Sequence, residues 1–462
     1  MDVNKNIGVI EFYQDSTILI TGATGFTGQV LLEKILRSLK PRKIYVLVRE
    51  KRGVKARKEV KQLFSNVLFE QVRQDNLLCR VIPVDVDFDQ EHLSLDEALR
   101  ENLANEVDVL FNLLASVNFN EPLASAFQTN VEYSRNLLQL ASTFHHLKAV
   151  IHVSTFYSNC DRTTIEELIY PDTSFGGYEN VRAILNQLKP TERDVFSPFI
   201  LGKQPNTYTY SKKCAESMIN DNFSQLPVGI FRPPIVSSTF REPFPDWYYK
   251  YNGPCGILMA LYFGLLNVLP FEFDKRTFVA PVDYCINAML CCAVDVYKKH
   301  CQQSTDCIGK VQVYNFTDGT RNCSWEEAYR WYLEGMTPLR TYLRARFLTL
   351  TSNNKILCEI GFYWMRVRAH FIDFIAWALG KKSPTAATAT TERIITQVKL
   401  LRPFCVQEWG MGNSNMMKVV EGLSVRDKLR FPCDLRNVDL EAHLRRFIPG
   451  VLKYVVNAKS VA

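Results

Sequence analysis

The chain contains no Cys-x-x-Cys pair, so nothing in it has the ligand spacing of a structural zinc site, and no metal is expected. Its thirteen cysteines are an odd number without recurring short spacings, which argues against a disulfide framework and for buried thiols in a reducing compartment. The adjacent Cys291 and Cys292 follow an apolar stretch and read as core. A long basic block is also missing: 55 basic and 48 acidic residues are spread along the chain, and the formal charge of +7 builds no nucleic-acid arm. Such a mild excess suits a phosphorylated substrate or an anionic membrane surface. Residues 1–15 are polar and charged, without the apolar core of a signal peptide, so synthesis in the cytosol is expected and the Asn-x-Ser/Thr triplets at Asn222, Asn315 and Asn322 are chance matches. No internal repeat is present.

What is present is ordinary globular material, 47% apolar and 22% charged, with a packed core assured. A length of 462 residues exceeds what one core usually organises, and two parts are expected. Ser16 to Thr21 reads as a buried strand, Phe26 to Lys40 as a helix with Leu32, Ile35, Leu36 and Leu39 on one stripe, and Ile44 to Val48 as the next strand. Further strand-length apolar runs are Val107 to Leu113, Ala149 to Val153 and Val228 to Phe231, separated by helical stretches from Glu121 to Ser142 and from about Tyr208. Strands alternating with helices predict an α/β fold, a Rossmann-type doubly wound parallel sheet covered on both faces. From about Ser324 the texture turns helical. The expected division is 1–330 for the sheet domain and 331–462 for a mostly helical region, with Ser383 to Thr391 as a loop or linker.

Thr21-Gly-Ala-Thr-Gly-Phe-Thr-Gly28 sets Gly22, Gly25 and Gly28 between the first strand and its helix, with Thr24 and Phe26 inside the turn. Glycines permit the tight turn and a close approach of backbone to a pyrophosphate, while the helix N-terminus offers N–H donors to the anion. In an NAD site an acidic residue lies about 20 positions further on and binds the ribose hydroxyls. Here Arg49 holds that position, with Lys51 and Arg52 close behind, and a guanidinium there pairs with a 2′-phosphate, so the expected cofactor is NADPH. Asp85, after the apolar run Val81 to Val84, is placed to meet the adenine edge or to cap a turn.

Tyr208 and Lys212 are four residues apart and therefore share a helix face. A free phenol has a pKa of about 10, and a nearby ammonium is expected to lower it and make Tyr208 a usable acid. Ser154 and Thr155 follow the strand ending at Val153, at the carboxyl edge of the sheet where ligands bind, and either hydroxyl can bond a reacting carbonyl.

The glycine motif, Val153-Ser-Thr155 and Tyr208-x-x-x-Lys212 resemble the extended short-chain dehydrogenase/reductases. More narrowly, the chain resembles the alcohol-forming fatty acyl-CoA reductases. The resemblance is carried by Glu33-Lys-Ile-Leu-Arg37, Tyr45-Val-Leu-Val-Arg49, Phe119-Asn-Glu-Pro-Leu123 with Asn130, His152-Val-Ser-Thr155 and Asn206-Thr-Tyr-Thr-Tyr210. It continues through Arg232-Pro-Pro-Ile-Val236, Glu242-Pro-Phe-Pro with Trp247, Tyr251-Asn-Gly-Pro254, Pro281-Val-Asp283 and Asn287, and past Trp409 to the segment Asp439 to Tyr454. The chain departs from the family at Thr27, where a further apolar residue is usual, and at Pro234, where serine is usual. The family's final hydrophobic anchor has no counterpart in the sequence, and stable membrane insertion is not expected.

The resemblance implies conversion of a long-chain fatty acyl-CoA to a primary alcohol with two NADPH, through a bound aldehyde. Tyr208 is then the proton donor, Lys212 the residue that holds the nicotinamide ribose, and Thr155, or else Ser154, the oxyanion partner. Cys160 and Cys214 are structural in this scheme. Gly256 to Pro270 is too short to span a bilayer and reads as tunnel wall or interfacial patch. Phe362 to Leu379 is long enough, but Arg366, Arg368, His370 and Asp373 interrupt it, leaving an amphipathic helix on a membrane or a packed helix. A location on the cytosolic face of the endoplasmic reticulum, a peroxisome or a lipid droplet follows. An extended reductase acting on a sterol or nucleotide sugar would share the glycine turn and the Tyr-Lys pair without explaining the helical C-terminal region. A cofactor-sensing protein without turnover would be expected to lack Tyr208 or Lys212.

Overall fold

The computed structural model describes residues 7–50, 53–171, 174–251, 253–302, 311–319, 323–380 and 385–456. Lys51, Arg52 and Asn322 lie outside them.

Seven strands form the centre: β1 Thr17–Thr21, β2 Lys43–Arg49, β3 Val81–Val86, β4 Val109–Asn112, β5 Ala149–Val153, β6 Val228–Arg232 and β7 Gln312–Asn315. Their spatial order is β7-β6-β5-β4-β1-β2-β3 and every pairing is parallel. The chain thus runs out to one edge, returns beside β1 and continues to the other, opening a crevice at the carboxyl ends where β1 and β4 part company. The doubly wound sheet expected from the alternation is the fold observed.

Side chains alternate across this sheet. Ile18 and Ile20 of β1 join a core with α1 (Phe26–Ser38), whereas Leu19 joins the opposite core with α2 (Tyr133–Ala141). Two hairpin helices, α3 (Tyr178–Gln187) and α4 (Pro190–Leu201), precede α5 (Thr207–Phe223), which packs on the same face as α2. After α6 (Pro254–Tyr262), α7 (Val282–Gln302) lies on the α1 face and carries Cys291 and Cys292 into the core.

A third apolar cluster joins α6 to the later helices α8 (Trp325–Glu334), α9 (Leu339–Phe347), α10 (Lys355–Ala378), α11 (Ala386–Cys405) and α12 (Leu440–Val451). Leu258 and Leu261 of α6 meet Leu333, Phe362, Ile395 and Phe447 there. α8 runs through residue 330.

One expectation is corrected. Ala386 to Thr391 belong to α11 and are not a linker. The reason is a cap from a distant element: the Asp373 carboxylate accepts from the amides of Ala387 and Thr388, both at 2.9 Å, satisfying donors a helix start otherwise leaves bare. Alanine's high helix propensity then extends the turn.

α10 forms as expected and buries Cys358, Phe362, Met365 and Ala369. Its other face exposes Tyr363, Trp364, Phe371, Phe374 and Trp377. Among the described residues, no helix is long and apolar enough to cross a membrane.

Candidate active site

β1 delivers the chain into the glycine turn at the crevice. Gly22 has φ +70°, and a Cβ there would stand 2.7 Å from the Leu113 carbonyl oxygen. At Gly28 a Cβ would stand 2.2 Å from the Gly22 carbonyl oxygen, so α1 can approach β1 only without a side chain. Gly25 is the N-cap of α1 and supplies no side-chain capping bond, which leaves first-turn amides for an anion. The Thr24 carbonyl accepts from Gln29 Nε2 at 3.1 Å and closes the turn, and Phe26 packs against Trp247 and Tyr248 with centroid distances of 5.7 and 4.6 Å. A backbone cradle that any Cβ would fill, opening on uncapped amides, fits a dinucleotide pyrophosphate.

The opposite wall is α5. Its N-cap Asn206 accepts from the Thr209 amide at 2.9 Å, starting the helix two residues before Tyr208 and turning Tyr208 and Lys212 to the crevice. Tyr208 stacks on Phe119 with centroids 5.4 Å apart, and Lys212 Nζ donates to the Val153 carbonyl at 2.7 Å. Thr155 caps the turn after β5 by accepting from the Tyr157 amide at 3.3 Å. Ser154 Oγ donates to Glu216 Oε1 at 2.5 Å.

The electrostatics correct one expectation. Lys212 does not hold Tyr208 below its ordinary range; burial pushes the phenol up to about 12, and the hydrogen bond with Thr155 only moderates the rise. The lysine is itself lowered to about 8, because burial disfavours its charge more than Glu216 restores it. With its ammonium donating to Val153, Lys212 is bound to the strand end. Tyr208 is a neutral phenol whose hydroxyl is paired with Thr155.

Two residues central to this arrangement were not singled out as site residues in the sequence. Glu216 lies one helical turn beyond Lys212, fully buried, and Arg232 ends β6, also fully buried. Arg232 Nη2 meets Glu216 Oε2 at 2.6 Å and its Nε meets Oε1 at 3.0 Å, a bidentate pair. Glu216 also accepts from Ser158 at 2.9 Å and from Asn159 at 3.2 Å. The signal available was a second four-residue step, Tyr208-Lys212-Glu216, but the partner is supplied by another strand. Asn130 sits in a π-helical turn, Gln128–Glu132, accepts from the Ser116 amide and donates to Ser211 Oγ, both at 2.8 Å. It thereby ties the loop after β4 to α5.

Between these walls lies a cavity of about 430 Å³. Glycine-turn residues Gly22, Gly25, Phe26 and Gly28 line it together with Ser154, Thr155, Tyr208 and Lys212. Beyond them the lining becomes apolar: Ile257, Leu258 and Leu261 of α6, Tyr329 and Tyr332 of α8, and Leu401 and Phe404 of α11. The Gly256 to Pro270 segment therefore contributes tunnel wall.

Arg49 and Asp85 stand apart from this cavity. Arg49, at the carboxyl end of β2, donates through Nη1 to Tyr133 Oη at 3.2 Å. Asp85 is exposed and accepts from the Ala56 amide at 2.6 Å, fastening a helix start. Cys160 and Cys214 are buried, as a structural role requires. Among the described residues no cluster of metal-ligating side chains occurs.

A doubly wound sheet, a glycine turn at its crevice and a Tyr-Lys pair opposite define a nicotinamide-dependent reductase. Two stretches, residues 20–289 and 364–458, match family models described as Male sterility protein. Fatty acyl-CoA reductase 1 of Xenopus laevis is 33% identical, over 98% of this chain and 87% of its own length. Fatty acyl-CoA reductase wat of Drosophila melanogaster is 30% identical over the same shares. The chain belongs to the fatty acyl-CoA reductase family. Among solved structures, the terminal R domain of the myxalamid biosynthetic pathway shares the fold at TM-score 0.60 and 20% identity, covering 95% of this chain and 91% of that one.

Proposed function

We propose that this chain reduces long-chain fatty acyl-CoA to the primary alcohol with two NADPH, through a bound aldehyde. The observation that carries the reading is the single cavity that begins at Tyr208, Thr155 and the glycine turn and continues as an apolar channel between α6, α8 and α11. An acyl tail needs such a channel, and a reacting carbonyl needs a proton donor at its head.

NADPH, when bound, supplies the hydride. Thr155 holds the carbonyl oxygen of the thioester by its hydroxyl, and Tyr208 gives that oxygen its proton as negative charge develops. The resulting hemithioacetal collapses: its hydroxyl loses a proton, the C–S bond breaks, and CoA leaves as the thiol. The aldehyde stays in the apolar channel; once Tyr208 has regained a proton from solvent, the same two side chains repeat their roles on the aldehyde oxygen, giving the alcohol. Lys212, fastened to Val153, would hold the nicotinamide ribose. Gly22, Thr24, Gly25, Phe26 and Gly28 would receive the pyrophosphate side, Asp85 the adenine edge, and Arg49 the 2′-phosphate. Residues 1–330 form the cofactor-binding part in this reading and 331–462 the part that closes the acyl channel.

The substitution Tyr208→Phe tests the assignment. It is expected to abolish NADPH oxidation driven by palmitoyl-CoA while NADPH binding, read by fluorescence, persists. Full turnover in that variant would overturn the reading.

We also propose peripheral contact with a lipid surface, on the cytosolic face of the endoplasmic reticulum, a peroxisome or a lipid droplet. Supporting it are the exposed aromatics of α10 and the neighbouring α9, which exposes Leu339, Leu343 and Phe347 beside Arg340 and Arg346.

A further inference from the structure

The acyl channel runs along α6. At the start of that helix Gly253 and Pro254 share the lining with Phe26 and Gly28 of the glycine turn, and the wall then follows Ile257 and Leu258 to Leu261. α6 has nine residues, which at a rise of about 1.5 Å each makes it roughly 14 Å long. A bilayer acyl tail spans half of the hydrocarbon core, about 15 Å. A long tail that starts at Tyr208 and follows α6 therefore reaches the far end of the helix, whereas a tail half as long ends near Leu258.

That far end lies at the surface. Leu261 is buried, Phe263 and Leu265 just beyond it are exposed, and the buried Leu269 returns to the channel wall. The exposed loop is fastened to both helices that carry exposed apolar faces. Arg344 of α9 donates to the Tyr262 carbonyl, and Arg368 of α10 donates to the Leu265 carbonyl at 3.0 Å and to Asn267 Oδ1 at 2.8 Å. Leu350, just after α9, pairs with Val268. Phe263 and Leu265 thus stand beside α9 with its exposed Leu343 and Phe347. The charge there has one sign: α9 holds three arginines and no carboxylate, and Arg340 and Arg346 are exposed without a carboxylate partner among the described residues. An anionic phospholipid surface complements both features, offering hydrocarbon to the apolar side chains and phosphates to the guanidinium groups.

We propose that the channel opens sideways into an anionic bilayer at the loop 263–265. The end of a long acyl tail then lies in lipid during reduction, and the alcohol leaves into the bilayer without crossing water. Each methylene taken from hydrocarbon into water is unfavourable, so lateral release removes a barrier that grows with chain length. This rests on the acyl-CoA reductase reading, and it joins the lipid contact of α9 and α10 to the reacting carbonyl.

Photolabelling tests it on the whole protein, bound to phosphatidylcholine/phosphatidylserine vesicles with NADP⁺ present. The probes are hexadecanoyl-CoA and octanoyl-CoA, each carrying a diazirine at its terminal carbon. The hexadecanoyl label is expected to insert at the loop 263–265, at Leu343 or Phe347, and into lipid, and the octanoyl label at buried residues around Leu258. Hexadecanoyl insertions confined to other residues overturn the portal. A Phe263→Glu/Leu265→Glu variant gives a second reading: turnover of palmitoyl-CoA on vesicles should fall at least about tenfold, while that of octanoyl-CoA stays within about twofold. An equal effect on both substrates overturns the portal as well. Wild-type NADPH oxidation with the two acyl-CoAs tests the reductase reading separately: turnover with a wholly internal hexadecanoyl label would sink only the portal, and oxidation with neither substrate would sink the reductase reading.

Discussion

Lys212 Nζ donates to the Val153 carbonyl at 2.7 Å, so the lysine of α5 is fastened to the end of the strand that leads into Ser154 and Thr155. The two halves of the proposed catalytic edge, one from a strand and one from a helix, are thereby held as a unit. The same bond leaves the Tyr208 phenol to Thr155.

The two adjacent hydroxyls are predicted to differ in kind. Ser154 spends its proton on Glu216, whereas Thr155 faces Tyr208. Thr155→Val is expected to lower kcat about 100- to 1,000-fold, the cost of an oxyanion donor, with little change in Tm. Ser154→Ala is expected to cost about 1–3 kcal/mol of stability by leaving Glu216 short of a donor, with kcat retained within about tenfold. Thermal melts and single-turnover rates on the two variants distinguish these outcomes, and equal loss of kcat in both would refute the division.

Activity should have an alkaline limb set by Lys212. Burial lowers this ammonium to about 8, so it is charged below that pH and neutral above it. Provided the charge holds the cofactor ribose, kcat/KM falls as pH rises through 8. Lys212→Arg stays charged throughout and is expected to lose the limb at reduced activity. A wild-type profile that is flat from about pH 7 to about pH 9.5 would be incompatible with this role.

Gly28 and Gly25 are predicted to respond unequally to alanine. A Cβ at Gly28 meets backbone at 2.2 Å, while at Gly25 the nearest atom, the Gly22 oxygen, is 3.2 Å away. Gly28→Ala is expected to force α1 from β1, costing about 1–3 kcal/mol and eliminating NADPH binding. Gly25→Ala should weaken binding while keeping the fold. NADPH fluorescence titrations with parallel melts read both, and the reverse ranking would contradict the close-approach argument.

The exposed face of α10 makes a prediction about lipid. Trp364→Glu and Trp377→Glu leave the core of the helix intact, since both rings are 64% exposed. Each is expected to reduce co-flotation with phosphatidylcholine/phosphatidylserine vesicles by at least about tenfold without lowering turnover of a soluble short-chain acyl-CoA. Undiminished flotation of the double variant would remove α10 from the lipid contact.

Legible in the sequence were features whose partners are close along the chain. Glycines at three-residue spacing constrain one turn, a four-residue step places Tyr208 and Lys212 on one face, and apolar runs of five or so residues make buried parallel strands whatever follows them. These local rules were enough for the sheet, for the glycine turn between β1 and α1, and for the shared helix face of Tyr208 and Lys212. The tertiary structure alone decided matters that depend on groups distant in sequence. Arg232 reaches Glu216 of α5 from the end of β6, Asp373 caps a helix that composition presented as a linker, and α6, α8 and α11 meet to enclose the channel. The ionisation of Tyr208 belongs here too. Spacing puts a lysine on the same helix face as the phenol, but the direction of the shift is set by how deeply the surrounding elements bury the phenol, which only the Thr155 hydrogen bond offsets.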